Sequence, residues 1–80
     1  MKTPRDLSGK ELVRALQRIG YQEVRQKGSH VYLTTTRNGE HHIAVPLHNP
    51  LKIGTLMGIL SDVAQHLDIS RPELQELLFG

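Results

Sequence analysis

Eighty residues, 38% hydrophobic and 22% charged, suffice for one small domain over residues 1–80 with a thin core, and exclude a second. Without cysteine there is neither a disulfide nor a thiolate zinc site, and no long apolar stretch or apolar leader follows Met1, so the expectation is a cytoplasmic protein that is neither secreted nor membrane-bound. The net charge of +2 is unevenly spread: residues 1–40 hold eight Lys or Arg against four acids, and residues 41–80 hold two against four. A polyanion would meet the N-terminal half first, although an ordinary solvated surface gives the same imbalance.

The first element is a helix opening at "SGKELVRALQRIG". Ser8 and Glu11 have the capping-box spacing, and Gly20 supplies the stop. Leu12, Val13, Leu16 and Ile19 form an apolar stripe, while Lys10, Arg14 and Arg18 step by four along the opposite face. That basic row is either a solvated helix face or a phosphate clamp.

After Gly20 the period becomes two. "QEVRQK", "HVYLTTT" and "EHHIAVP", separated by "GS" and "RNG", predict three antiparallel strands. A two-residue turn with Gly28 at its first central position pairs Lys27 with His30, Arg25 with Tyr32 and Val24 with Leu33. At the second turn, a two-residue Asn38-Gly39 loop would divide the apolar residues between faces. A three-residue loop of Arg37, Asn38 and Gly39 pairs Leu33 with Ile43 and Val31 with Val45, and is the expected one. Val24, Val31, Leu33, Ile43 and Val45 then line the buried face; Arg25, Lys27, His30, Tyr32, Thr34 and His42 share the open one.

A second helix is expected from about Gly54 to Leu67, with Leu56, Ile59, Leu60, Val63 and Leu67 as its stripe. "SRPEL" repeats the capping spacing at Ser70 and Glu73 and opens a short final helix over residues 70–78. The fold class is α+β: α-β-β-β-α with a three-stranded antiparallel sheet, both long helices on one face, and an extra C-terminal helix.

"SGKELVRALQRIGY", "VRQKGSHVYL", "IAVPLH" and "LKIGTLMGIL" resemble, in order and spacing over residues 8–67, the HicA toxins of bacterial type II toxin-antitoxin systems. The glycine, serine, histidine triplet before a strand is the most specific piece. The resemblance implies a double-stranded-RNA-binding-domain-like fold, cleavage of mRNA by a metal-independent endoribonuclease without a cofactor, and silencing by a HicB-type antitoxin that covers the active site. It places the catalytic role on His30, with Gly28 and Ser29 shaping the turn beneath it. Ile53 stands where family members often have proline, and "DISRPELQELLFG" continues beyond the usual second helix; both bear on antitoxin docking and assembly rather than chemistry.

The residues are compatible with that chemistry. RNA carries its own nucleophile, the 2′-hydroxyl, and its cleavage needs a base, an acid and cations for the developing charge. Histidine titrates near neutral pH and can take either proton-transfer role. Lys27 lies across the strand pair from His30, Arg25 lies one pair further on, and the ring of Tyr32 either stacks on an unpaired base or is plain sheet-surface packing. Lys10, Arg14 and Arg18 complete the candidate RNA-binding set, and Arg37 in the far hairpin loop is expected to matter little. His41, His42 and His48 do not suggest a metal site, since adjacent residues of a strand point to opposite faces. A non-catalytic RNA-binding module of similar fold, with His30 on a phosphate, is the competing reading.

Overall fold

A computed structural model describes residues 6–80. Its elements run α1 (Gly9–Arg18), β1 (Gln22–Lys27), β2 (His30–Thr35), β3 (His41–Pro46), α2 (Ile53–Leu67) and α3 (Arg71–Phe79). This is the expected α-β-β-β-α order with an added C-terminal helix.

Both capping boxes form. The Ser8 hydroxyl accepts from the Glu11 N–H at 3.1 Å while Glu11 accepts from the Ser8 N–H at 2.9 Å, and Ser70 with Glu73 repeats the arrangement at α3. The Ser8 backbone N–H, followed by its hydroxyl, holds the Glu11 carboxyl below the usual carboxylate range. At the other end of α1, Gly20 at φ 111 closes the helix, with Tyr21 N–H on Leu16 O and Gly20 N–H on Gln17 O. That reversal delivers the Tyr21 side chain straight into the core, where it is buried.

The sheet is antiparallel in the order β1-β2-β3, with the β2–β3 register Val31↔Val45 and Leu33↔Ile43. The three-residue loop is therefore present, and Asn38 joins Gly39 in the left-handed region. Val31, Leu33, Ile43 and Val45 face the helices and pack with Leu12, Leu16, Leu56, Leu60 and Val63 in one continuous cluster. Leu74 and Leu78 of α3 join that cluster from the helix layer. Burying each such side chain stabilises by about 1.5–3 kcal/mol, which is what selects this register.

One strand expectation is overturned. Val24 is 58% exposed, and Leu33 pairs with Glu23 instead, because a β-bulge shifts the ladder between Glu23 and Arg25. The physical reason is that β1 contributes one aliphatic residue, too little to fix its register on its own. Lys27↔His30 and Arg25↔Tyr32, on the hairpin side of the bulge, are paired as expected.

The start of α1 is pressed against the end of β3. Gly9 N–H donates to His48 O at 2.9 Å, and a Cβ on Gly9 would overlap the Pro46 carbonyl, so only glycine fits there. Among the described residues, no helix is long and apolar enough to cross a membrane.

Candidate functional site

The Gly28–Ser29 reversal has Gly28 at φ 60 with Ser29 outside the left-handed region, the glycine-first pattern of a type II′ hairpin turn. It is tied to the neighbouring strand end by Leu47 N–H donating to Ser29 O at 2.6 Å. His30 therefore starts β2 on a braced turn, between Lys27 of β1 and Pro46 of β3.

Cross-strand rows define the open face. The first row is Lys27, His30 and Pro46; the second is Arg25, Tyr32 and Ala44; the third includes Thr34 and His42. Arg25, Lys27 and His30 are exposed, and Tyr32 is half-buried. The Arg25 guanidinium carbon lies 4.9 Å from the Tyr32 ring centroid, a cation–π contact that leaves a flat polar platform one row from His30. Val24, turned outward by the bulge, borders the same shallow depression with Ala44 and His42. Among the described residues, the His30 ring has no hydrogen-bond or ion-pair partner. Both of its nitrogens are thus open to a ligand.

The basic row of α1 does not join this face. α1 packs on the far side of the sheet, and its three cations diverge. Arg18 donates to Leu78 O at 2.6 Å and so caps α3; Arg14 lines the same groove between α1 and α3. Lys10 lies nearer the turn, in a groove shared with Gln26 and His48. Arg37 is also tied down, its guanidinium donating to Ile19 O at 3.0 Å, so that this loop residue holds the end of α1 rather than standing free.

Sequence reasoning missed the polar cluster at the opposite end of the hairpin. The Tyr21 hydroxyl and His41 Nδ1 are 2.7 Å apart, and His41 Nε2 and Asp62 Oδ1 are 3.2 Å apart. The acceptor-only carboxylate calls for a proton on Nε2, and the Tyr21 hydroxyl at Nδ1 can donate to the ring's other nitrogen. The His66 ring stacks on His41 at 4.3 Å between centroids, and its Nε2 donates to Arg37 O and Gly39 O. Burial, followed by the Asp62 charge, pushes the Tyr21 phenol up to about 12. The only available signal was the alternation that turns His41 to the helix side of β3.

A family model described as HicA toxin of bacterial toxin-antitoxin matches residues 9–64. The chain belongs to the HicA toxin family. Its role is therefore that of the toxin in a bacterial toxin–antitoxin pair, with an antitoxin as its general partner. The matched span of this HicA-family chain covers α1, the whole sheet and most of α2, and ends before α3. No curated protein and no solved structure matches the chain.

Proposed function

We propose that this HicA-family toxin is an endoribonuclease that cleaves mRNA, with His30 as the acid–base residue. The observation that carries the reading is an exposed histidine on a braced turn, without a partner among the described residues, directly across the ladder from Lys27 and one row from Arg25 and Tyr32. In the reaction the RNA 2′-oxygen forms a bond to the adjacent phosphorus, its proton passes to a base, and the 5′-oxygen leaves with a proton from an acid. The imidazole serves one of those transfers, and Lys27 and Arg25 supply positive charge where the phosphorane gains negative charge. The Arg25-backed ring of Tyr32 offers a stacking surface to an unpaired base. The nucleophile belongs to the substrate, so the step calls for no cofactor or metal.

The antitoxin, of HicB type, covers this open face with acidic or apolar groups. The same footprint that blocks His30 then includes Lys27. Arg14 and Arg18 stand behind the sheet, outside that footprint.

The decisive experiment expresses wild type and His30→Ala side by side, with growth and total RNA integrity as readouts. Growth arrest and RNA decay are expected from wild type alone. Intact RNA binding by both proteins with cleavage by neither would establish a non-catalytic RNA-binding module instead.

A further inference from the structure

The β1 bulge has a chemical consequence on the side of the sheet facing α1. An unbroken ladder would place Glu23 on the open face and Val24 in the core. The bulge exchanges them: Glu23 stands opposite Leu33 and Gln26 opposite Val31, both on the helix side, while Val24 forgoes burial. Glu23 stays exposed there, with its carboxylate on the helix side of the sheet where an unbroken ladder would set an aliphatic side chain.

Glu23 enters a groove of about 490 Å³ whose walls include Lys10, Val13, Gln26, Leu47 and His48. Among the described residues, Lys10 and Glu23 form no ion pair within 4.0 Å although both line the groove. The groove thus offers an anionic acceptor, a cationic donor, a carboxamide and aliphatic walls. Two of its lining residues are bonded to the turn that carries His30: Gln26 Nε2 donates to Gly28 O at 3.4 Å, and Leu47 N–H donates to Ser29 O. Nothing lies within 4 Å of where a Cβ on Gly28 would stand, so the turn leaves room for a strand to pass over Gly28 from His30 toward the groove.

The geometry points to this groove as a base-reading subsite for single-stranded RNA, selective for guanine next to the cleaved phosphate. A carboxylate repels a phosphate, so the nucleotide enters by its base. Guanine is the RNA base whose Watson–Crick edge presents two adjacent N–H donors, N1–H and the N2 amino group, beside an acceptor, O6. The two Glu23 oxygens take the donors, Lys10 donates to O6, and the aliphatic walls take the ring faces. A strand crossing the Gly28 rim then has its phosphate at His30 and its neighbouring base in the groove. The inference rests on the RNA-cleaving reading of His30 for its placement beside the cut, and names the specificity of that site.

Binding separates the two readings. Single-stranded 2′-deoxy tetranucleotides lack the attacking hydroxyl and report the groove without cleavage. Those with one guanine are expected to bind wild type about ten- to a hundredfold more tightly than those with none, and Glu23→Gln and Lys10→Met, both exposed and expected to melt as wild type, erase most of the difference. On cleavable RNA, sequenced ends from wild type should carry guanine at one fixed position beside the cut, and Glu23→Gln should flatten that enrichment. Equal binding of the two tetranucleotide sets overturns the subsite, as does a Glu23→Gln protein whose only defect is weaker antitoxin binding, which would make the groove a protein contact. A His30→Ala protein that still cuts beside guanine would overturn the histidine and leave the groove standing.

Discussion

His30 and His41 sit at opposite ends of the β2–β3 hairpin, and the chain treats them in opposite ways. His41, paired across from Thr35, has one nitrogen on Tyr21, the other on Asp62, and its ring face against His66. His30, paired across from Pro46, is exposed and without a side-chain partner among the described residues. Five strand steps separate them, about 16 Å at the usual rise. The ring of His41 joins β3 to Tyr21 after α1 and to Asp62 of α2, and its stacking partner His66 holds the hairpin loop, so its role is cohesion. The turn under His30 is held by the Leu47 N–H on Ser29 O and by Gln26 on Gly28 O, neither of which engages the ring, so the imidazole is left free for an external proton. A histidine's partners, more than its identity, say whether it belongs to the fold or to the chemistry.

The largest expected effect breaks the contrast at the His30 end. His30→Ala should lower RNA cleavage by at least about a hundredfold, the usual size of a general acid–base contribution, while moving stability by less than about 0.5 kcal/mol. Gel analysis of a defined RNA and a thermal melt of the same preparation check both halves. A variant that unfolds would place His30 with His41, among the structural residues.

At the other end the pattern inverts. His41→Ala removes the acceptor of a buried phenol and the stacking partner of His66, and should cost about 1–3 kcal/mol. For a domain of this size that is a fall in melting temperature of roughly 4–8 °C per kcal/mol. Cleavage per folded molecule, measured well below the melting point, should stay at the wild-type value. The two single-variant effects should add in His30→Ala/His41→Ala, because the sites share no partner.

Charge reversal sharpens the comparison on a smaller scale. Lys27→Glu alters an exposed residue across the ladder from His30, and should weaken cleavage and antitoxin affinity together while leaving the melt unchanged. Arg37→Glu loses the donation to Ile19 O and should cost about 1 kcal/mol, with cleavage and antitoxin affinity per folded molecule intact. Calorimetric titration with antitoxin distinguishes them. Undiminished antitoxin affinity in Lys27→Glu would mean that the partner inhibits by distortion from elsewhere rather than by covering the histidine.

The same contrast explains what was legible in the sequence. Helix limits were readable because Ser8, Glu11, Gly20, Ser70 and Glu73 act within a few residues of themselves. The β2–β3 register was readable because four aliphatic residues had to share one face. The open-face set followed from that register together with the glycine-first turn. What escaped depended on contacts between residues far apart in the chain. Val24 was assigned to the core because it is the single aliphatic residue of β1, and nothing local announces a bulge. The Tyr21, His41, Asp62 and His66 cluster draws on β3, α2 and the connection between α1 and β1, and its spacing in sequence carries no motif. Arg18 and Arg37 read as free surface charges until α3 and the end of α1 supplied carbonyls for them.

The smallest effect tests the cohesive end by pH. The Tyr21 phenol is pushed from its ordinary value of 10.0 up to about 12 by burial and by the Asp62 charge. The folded state therefore keeps a proton that the unfolded chain has already lost between those values. Stability from this group is fully present below pH 10.0, and falls as pH rises toward about 12 because the unfolded state then binds fewer protons. Tyr21→Phe should lose about 1 kcal/mol at neutral pH, where His41 Nδ1 forfeits its donor to solvent or to nothing, and should flatten that alkaline decline. Denaturant melts of wild type and Tyr21→Phe between pH 8 and pH 12 give the slopes directly. Equal slopes in wild type and Tyr21→Phe would mean that the phenol is not held by His41 and Asp62, and that the two ends of the hairpin are less different than their hydrogen bonds make them.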